Sequence, residues 1–156
     1  MDKTDPPTSF GVFKPIGHTV IAFRSVTDLR AAQATLLEQG FTPSAFVSYT
    51  PQEMVAQVDA ELPQASPMAS VGQELNLVKA HRALAQRGCS FLVVHAADET
   101  QAQRVATVAR GMKAVTAQRY GRFIIEELID LPDGDVQVFE SPDRGLDTDA
   151  PAEKQT

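Results

Sequence analysis

The sequence predicts a mixed α+β domain with a ferredoxin-like split β-α-β arrangement. Two β-α-β units, at residues 18–49 and 89–129, share one layout, and a helical insertion at residues 50–87 takes the place of the usual hairpin between the second and third strands. The chain has 156 residues, of which 43% are hydrophobic, enough for one core. Such a fold carries its helices on one face of the sheet. A small doubly wound parallel sheet is the alternative, but it needs more parallel strands than the pattern provides.

The first β-α-β unit opens on His18–Phe23, a run rich in β-forming residues that predicts a buried strand. Ser25 or Thr27 caps the helix that follows. Gly40 ends this helix, as glycine does just beyond a C-terminal cap. A second strand is predicted around residues 45–49.

The insertion predicts two helices. Thr50 is a cap, Pro51 suits the first helical position, and Glu53 completes a capping box. The second inserted helix covers residues 70–87 and stops near Gly88.

The second β-α-β unit opens on residues 89–96, the clearest strand in the sequence. Asp98 caps the last long helix. A final core strand is predicted at residues 122–129, entered through a bent stretch from Val115. Residues 136–139 predict a short edge strand after a turn.

The predicted domain organisation has three parts: a loose N-terminal arm at residues 1–16, one α+β domain at residues 17–140, and a flexible tail at residues 141–156. The arm and the tail are rich in proline and polar residues and lack a helical or strand period. The residues expected to attach the arm to the core are Phe10, Val12 and Phe13.

Composition argues against several classes of protein. A net charge of −6, without clustered Lys and Arg, disfavours nucleic-acid binding. No apolar run approaches the roughly 20 residues that cross a bilayer, and the N-terminus lacks the pattern of a signal peptide. The one cysteine, Cys89, excludes an intrachain disulfide and suits a reducing compartment. The sequence therefore predicts a cytoplasmic protein that binds neither membrane nor nucleic acid.

Four stretches carry a resemblance to uncharacterised proteobacterial proteins that are distantly similar to general-stress-protein-like domains. They are residues 66–77, 91–96, 120–128 and 140–147. The resemblance implies a ferredoxin-like fold and a stress-linked role. Such relatives often carry a glycine-rich, membrane-type hairpin in the place of this chain's inserted helices. The residues of the insertion that would not sit in lipid are Glu74, Asn76, Lys79, His81 and Arg82.

The helix predicted at residues 70–87 contains the main candidate site. Glu74 and His81 lie two turns apart, between two apolar flanks of this helix. An acid and an imidazole in an apolar arc need partners. One interpretation is a pocket in which His81 is an acid, a base or a ligand contact, with Glu74 as its electrostatic partner. The other, which we favour, is that both make structural bonds to neighbouring backbone or arginines.

A second candidate cluster lies at the end of the predicted core. Arg119 and Tyr120 suit a small anionic ligand, because a guanidinium binds anions in a bidentate manner and a ring adds contact. The alternative, which we prefer, is that Tyr120 and Gly121 form a bend and that the arginines are solvated.

The histidines and the cysteine do not predict a metal site or a cofactor, because their spacing matches no ligand motif. His18 begins one strand and His95 ends another, so we expect them on opposite edges of the sheet. Cys89 is predicted to be a small buried hydrophobe. The four residues considered are His18, His81, Cys89 and His95.

These patterns favour a non-enzymatic domain that self-associates as a homo-oligomer or has a small-ligand or stress-linked role, because the core pattern is complete but no catalytic set is visible. One alternative is a small enzyme or effector-binding domain with a single cleft. The residues of that cleft would be Glu74, His81, Arg119 and Tyr120. A further alternative is a partner-binding module that docks through the tail after Pro142.

Overall fold

A computed structural model describes the protein at residues 1–9, 11–66, 73–129 and 138–140. It is an α+β fold, as the sequence predicts. The helices are α1 (Val26–Glu38), α2 (Pro51–Glu61), α3 (Glu74–Gln86) and α4 (Glu99–Gly111), with short 3-10 turns at Pro43–Ala45 and Leu62–Gln64. The strands are β1 (Thr8–Ser9), β2 (Val12–Phe13), β3 (His18–Phe23), β4 (Phe46–Tyr49), β5 (Ser90–His95), β6 (Thr116–Tyr120), β7 (Ile124–Glu127) and β8 (Val138–Glu140).

The main sheet has six strands in the order β4-β5-β3-β6-β7-β8, and every neighbouring pair is antiparallel. Strands β1 and β2 form a separate hairpin. The first residue of β3 therefore lies opposite the last residue of β5, and His18 faces His95. Antiparallel pairing places the ends of distant segments side by side.

Helices cover both faces of the sheet. Helices α2 and α3 pack on the face that carries Val20 and Phe91, whereas α1 and α4 pack on the face that carries Ile21 and Leu92. The helices of the two β-α-β units therefore share one face, and the inserted pair, for which the sequence predicts no face, covers the other. The physical reason is visible in β3 and β5, whose continuous apolar runs require cover on both sides.

The predicted helix caps are confirmed. The Ser25 hydroxyl accepts from the backbone of Asp28, and the Asp98 carboxylate does the same at the start of α4. Thr50 and Glu53 form the full capping box. These signals are read correctly from sequence because each involves residues only three positions apart.

The C-terminal part of the sheet differs from the prediction. The segment at residues 122–129 is not the strand that completes the second β-α-β unit, because β6 lies beside β3 and β7 follows as its hairpin partner. Gly121 makes the tight turn between them, and its backbone N–H donates to Ile124. The edge strand is at Val138–Glu140, while residues 136 and 137 lie outside the described part.

The arm ends in the β1–β2 hairpin, and Val12 and Phe13 are buried in the core as predicted. Phe10 and the predicted tail at residues 141–156 lie outside the described residues. Among the helices that the structure describes, none has the length and apolar content needed to span a membrane.

Candidate functional site

Helix α3 turns its acid and its imidazole toward the sheet. Glu74 is the first residue of the helix, and both Glu74 and His81 are 1% exposed. Leu77, Val78 and Ala85 hold this helix against the core. The predicted inward orientation is therefore confirmed.

The partner of Glu74 comes from the N-terminal arm. The Lys14 ammonium lies 3.4 Å from the Glu74 carboxylate, and both side chains are 1% exposed. Lys14 also donates to the backbone carbonyl of Arg122 at 3.2 Å. One charge neutralises the other in a region without water access, so this contact ties the arm, α3 and the β6–β7 turn together. The sequence analysis missed Lys14, because no local pattern marks it.

The partner of His81 is a strand residue. His81 Nε2 lies 3.0 Å from Gln118 Oε1, and Gln118 Nε2 donates to Glu127 Oε1 at 2.6 Å. The second bond orients the Gln118 amide, since a carboxylate accepts from its NH2 group. The amide oxygen therefore faces His81, and His81 must carry its proton on Nε2.

Burial sets the protonation of this His81–Gln118–Glu127 chain. It lowers the pKa of His81 and raises the pKa of Glu127. Backbone N–H groups of Ala117 and Ile129 donate to the second oxygen of Glu127 and oppose that rise. On the other side of the imidazole, Nδ1 is buried and has no hydrogen-bond partner among the described residues.

Tyr120 lies on the same face of the sheet as Gln118, whereas Arg119 lies on the opposite face. Tyr120 is 1% exposed, packs against the Phe13 ring, and has no described partner for its hydroxyl. Its pKa is raised by burial first and then by the nearby carboxylates, Glu74 foremost. Neighbouring residues on a strand point to opposite faces, so Arg119 emerges beside α4 and pairs with Glu99 at 2.9 Å. The structure therefore brings three of the four predicted residues together and separates Arg119 from them.

A surface hollow lies between the N-terminal arm and α2. Its volume is about 630 Å³ and its walls are mostly apolar. Gly11 closes one side so tightly against Gln64 that a Cβ would collide with its backbone, and the positive φ of 83° also favours glycine. The residues that line it include Lys3, Asp5, Tyr49, Ala56, Ala60 and Glu61.

Tyr49 lines this hollow, and its hydroxyl is buried. Tyr49 is 2% exposed, and its hydroxyl has no hydrogen-bond partner within the described part of the chain. The Lys3 ammonium lies 5.2 Å from the centre of the Tyr49 ring and makes an ion pair of 3.0 Å with Glu53. Burial, followed by Glu61, Glu53 and Asp2, raises the pKa of Tyr49, so the hydroxyl stays a proton donor.

Glu61 is the second polar group of the hollow. Its carboxylate accepts from the backbone of Phe13 at 3.2 Å and from Gln57 at 3.2 Å. Burial raises the pKa of Glu61 against these two bonds. No sequence signal marked this hollow, because its walls come from the arm, β4 and α2.

His18 and His95 lie side by side, whereas Cys89 lies just before the first residue of β5. His18 and His95 are cross-strand neighbours with ring centres 4.9 Å apart, so their predicted position on opposite edges is wrong. Cys89 is buried, and burial raises the pKa of its thiol. Across the described ranges, no group of three or more His, Cys, Asp or Glu residues has a metal-binding arrangement.

No family model, curated protein or solved structure matches this chain. The resemblance to stress-protein-like domains therefore stays a prediction.

The region beneath α3 and the arm–α2 hollow differ in what they can do. Glu74, His81 and Tyr120 lie in the packed core, where a solute reaches them only if α3 moves. The hollow is open to solvent, and its walls are mostly apolar by area, with charged side chains such as Lys3, Asp5 and Glu61 in the lining. An open concavity with mostly apolar walls is typical of a small-molecule site.

Burial of His81 predicts a pH dependence of stability. Because its pKa is lowered from 6.5, the folded protein binds fewer protons than the unfolded chain below that pH. We expect the contribution of His81 to be complete above pH 6.5 and to be lost as the pH falls through its lowered pKa. His18 acts in the same direction, whereas the raised pKa of Glu127 favours the folded state as the pH falls.

Urea unfolding between pH 7.5 and 5 measures this effect. His81→Gln keeps a donor toward Gln118, and it should reduce the loss of unfolding free energy on acidification. His95→Gln is the comparison variant at an exposed position, and its effect should be smaller, because His95 acts only through its contribution to the lowered pKa of His18, which burial dominates. A His81→Gln protein with the wild-type pH dependence would contradict the assignment.

Proposed function

We propose that this protein is a non-enzymatic domain that binds a small organic ligand in the arm–α2 hollow. The observation that carries the proposal is the hollow itself, an open concavity of about 630 Å³ with mostly apolar walls and Tyr49 in its lining. The apolar walls would bury the body of the ligand.

The charges around the hollow favour an uncharged or cationic ligand. Lys3 is already paired with Glu53, while Asp5 and Glu61 add two carboxylates to the wall. An anion would meet this negative surface without an unengaged cation among the lining residues. The support for a small anionic ligand is therefore weaker here than for an alcohol or an amine.

The alternative, a small enzyme or effector-binding domain, has less support. Its cleft requires Arg119 beside Tyr120, and these residues lie on opposite faces of the sheet. Glu74 and His81 also already have protein partners, Lys14 and Gln118. Structural bonding accounts for both residues, which supports a non-enzymatic role.

The proposal also includes self-association and a ferredoxin-like fold. In the described residues β4 has one sheet neighbour, β5, so its outer edge offers backbone groups to a second copy. The order β4-β5-β3-β6, with α1 after β3 and α4 after β5, supports the split β-α-β, ferredoxin-like arrangement. A stress-linked role rests on the sequence resemblance alone.

Three probes of similar size test the hollow: benzyl alcohol, benzylamine and benzoate. NMR of the Ala56 and Ala60 methyl groups should show saturable shifts with the alcohol and the amine, and binding of benzoate several-fold weaker. Tyr49→Phe should leave benzyl alcohol binding unchanged within about two-fold, because the Tyr49 hydroxyl is closed to solvent and the substitution keeps the ring. It should not lower the free energy of unfolding.

Ala60→Leu is the blocking variant, because residue 60 is exposed and lines the hollow. It should weaken benzyl alcohol binding at least several-fold. Ala34→Leu, on the exposed side of α1, is the matched control and should bind as the wild type does. Equal binding by the two leucine variants, or the absence of any shift with all three probes, would refute the proposal.

A further inference from the structure

We propose that His18 and His95 form a site for a divalent transition metal such as Zn²⁺, Ni²⁺ or Cu²⁺. The two residues are direct neighbours across β3 and β5, and their ring centres lie 4.9 Å apart. Directly paired residues in antiparallel strands bring their Cβ atoms within about 5.5 Å. Two imidazoles at this separation can bind one ion. The site is separate from the arm–α2 hollow.

The hydrogen bonding of His18 prepares it as a ligand. Its Nδ1 lies 3.1 Å from the backbone carbonyl of Ile16, so Nδ1 carries the proton and donates it. Nε2 then presents a lone pair, and it is buried with no described hydrogen-bond partner. Metal-binding histidines typically donate their second ring N–H to a carbonyl or carboxylate in this way, which fixes the ring.

His95 supplies the second nitrogen and the access route. It is exposed at the end of β5, so its ring can turn without opening the core and admit an ion to the buried Nε2 of His18.

The ligand chemistry selects the ion. Imidazole nitrogen suits Zn²⁺, Cu²⁺ and Ni²⁺, whereas Mg²⁺ and Ca²⁺ prefer oxygen ligands. With two protein ligands from the described residues, water or a donor from another molecule completes the coordination. Such a site binds its metal exchangeably rather than as a closed structural centre.

Calorimetric titration of the untagged full chain with Ni²⁺ tests the site, and the EPR spectrum of the Cu²⁺ form identifies its ligands. We expect one ion per chain and a spectrum with imidazole nitrogen coupling. His95→Gln should weaken Ni²⁺ binding at least ten-fold and reduce the coupling from two imidazole nitrogens to one, that of His18. Because residue 95 is exposed, this variant tests the site without disturbing the core.

His81→Gln is the matched control, because His81 lies beneath α3 and bonds to Gln118. It should bind Ni²⁺ as the wild type does. Unchanged affinity in His95→Gln would overturn the proposal, as would a wild-type Cu²⁺ spectrum without imidazole nitrogen.

Discussion

Lys14→Met is expected to lower the free energy of unfolding by about 3–5 kcal/mol. The substitution keeps the apolar stem of the side chain but leaves the Glu74 carboxylate in the core without its cation. Both side chains of the Lys14–Glu74 pair are 1% exposed, so water cannot replace the lost charge. The contact with the Arg122 carbonyl is lost as well. Urea unfolding monitored by circular dichroism measures the change.

The chain offers a matched control in a second lysine–glutamate pair. Lys3 and Glu53 lie 3.0 Å apart, but their side chains are 37% and 45% exposed. Exposed pairs contribute about 0–1 kcal/mol, so Lys3→Met should have a small effect. The double variant Lys14→Met/Glu74→Leu should recover much of the lost stability, because the buried carboxylate is removed together with its cation. Equal losses in Lys14→Met and Lys3→Met would contradict the burial argument.

The parts of the fold that were predicted correctly rest on short-range signals. The capping box of Thr50 and Glu53 spans three residues, and the cap at Asp98 spans the same distance. The strands His18–Phe23 and Ser90–His95 stand out because they are continuous apolar runs. Local patterns fix such elements before any tertiary contact is made.

The errors arise where two distant segments meet. Burial of β3 and β5 on both faces is compatible with several layer arrangements, so the sequence does not show which face α2 and α3 cover. The prediction placed His18 and His95 apart, because the residues of a single strand do not show which strand it pairs with or in which direction. Antiparallel pairing makes them neighbours.

In the candidate site, too, the features that depend on one helix were predicted correctly, and those that depend on distant segments were not. The helical period placed Glu74 and His81 correctly toward the core, because that inference depends on one helix. Their partners Lys14 and Gln118 lie 60 and 37 positions away in sequence, and no local feature points to them. Arg119 was grouped with Tyr120 because they are adjacent, whereas adjacency within a strand separates side chains.

Gln118→Leu is expected to lower the free energy of unfolding by about 3 kcal/mol. Leucine fills a similar volume but leaves two buried groups without partners, the Nε2–H of His81 and Oε1 of Glu127. Each orphaned group costs about 1–3 kcal/mol, with the higher value for a carboxylate. The effect should appear in urea unfolding at pH 7 as a lower midpoint with an unchanged slope.

Gln103→Leu is the matched control, because Gln103 also donates from its amide to a glutamate, Glu99, at 2.8 Å. That pair is exposed, so water satisfies both groups after the change and the effect should stay within about 0.5 kcal/mol. Nitrogen-15 spectra of His81 add a second readout, since the wild type should show the Nε2–H tautomer that the Gln118 amide imposes. Equal stability of the two leucine variants, or an Nδ1–H tautomer in the wild type, would show that Gln118 does not join His81 to Glu127.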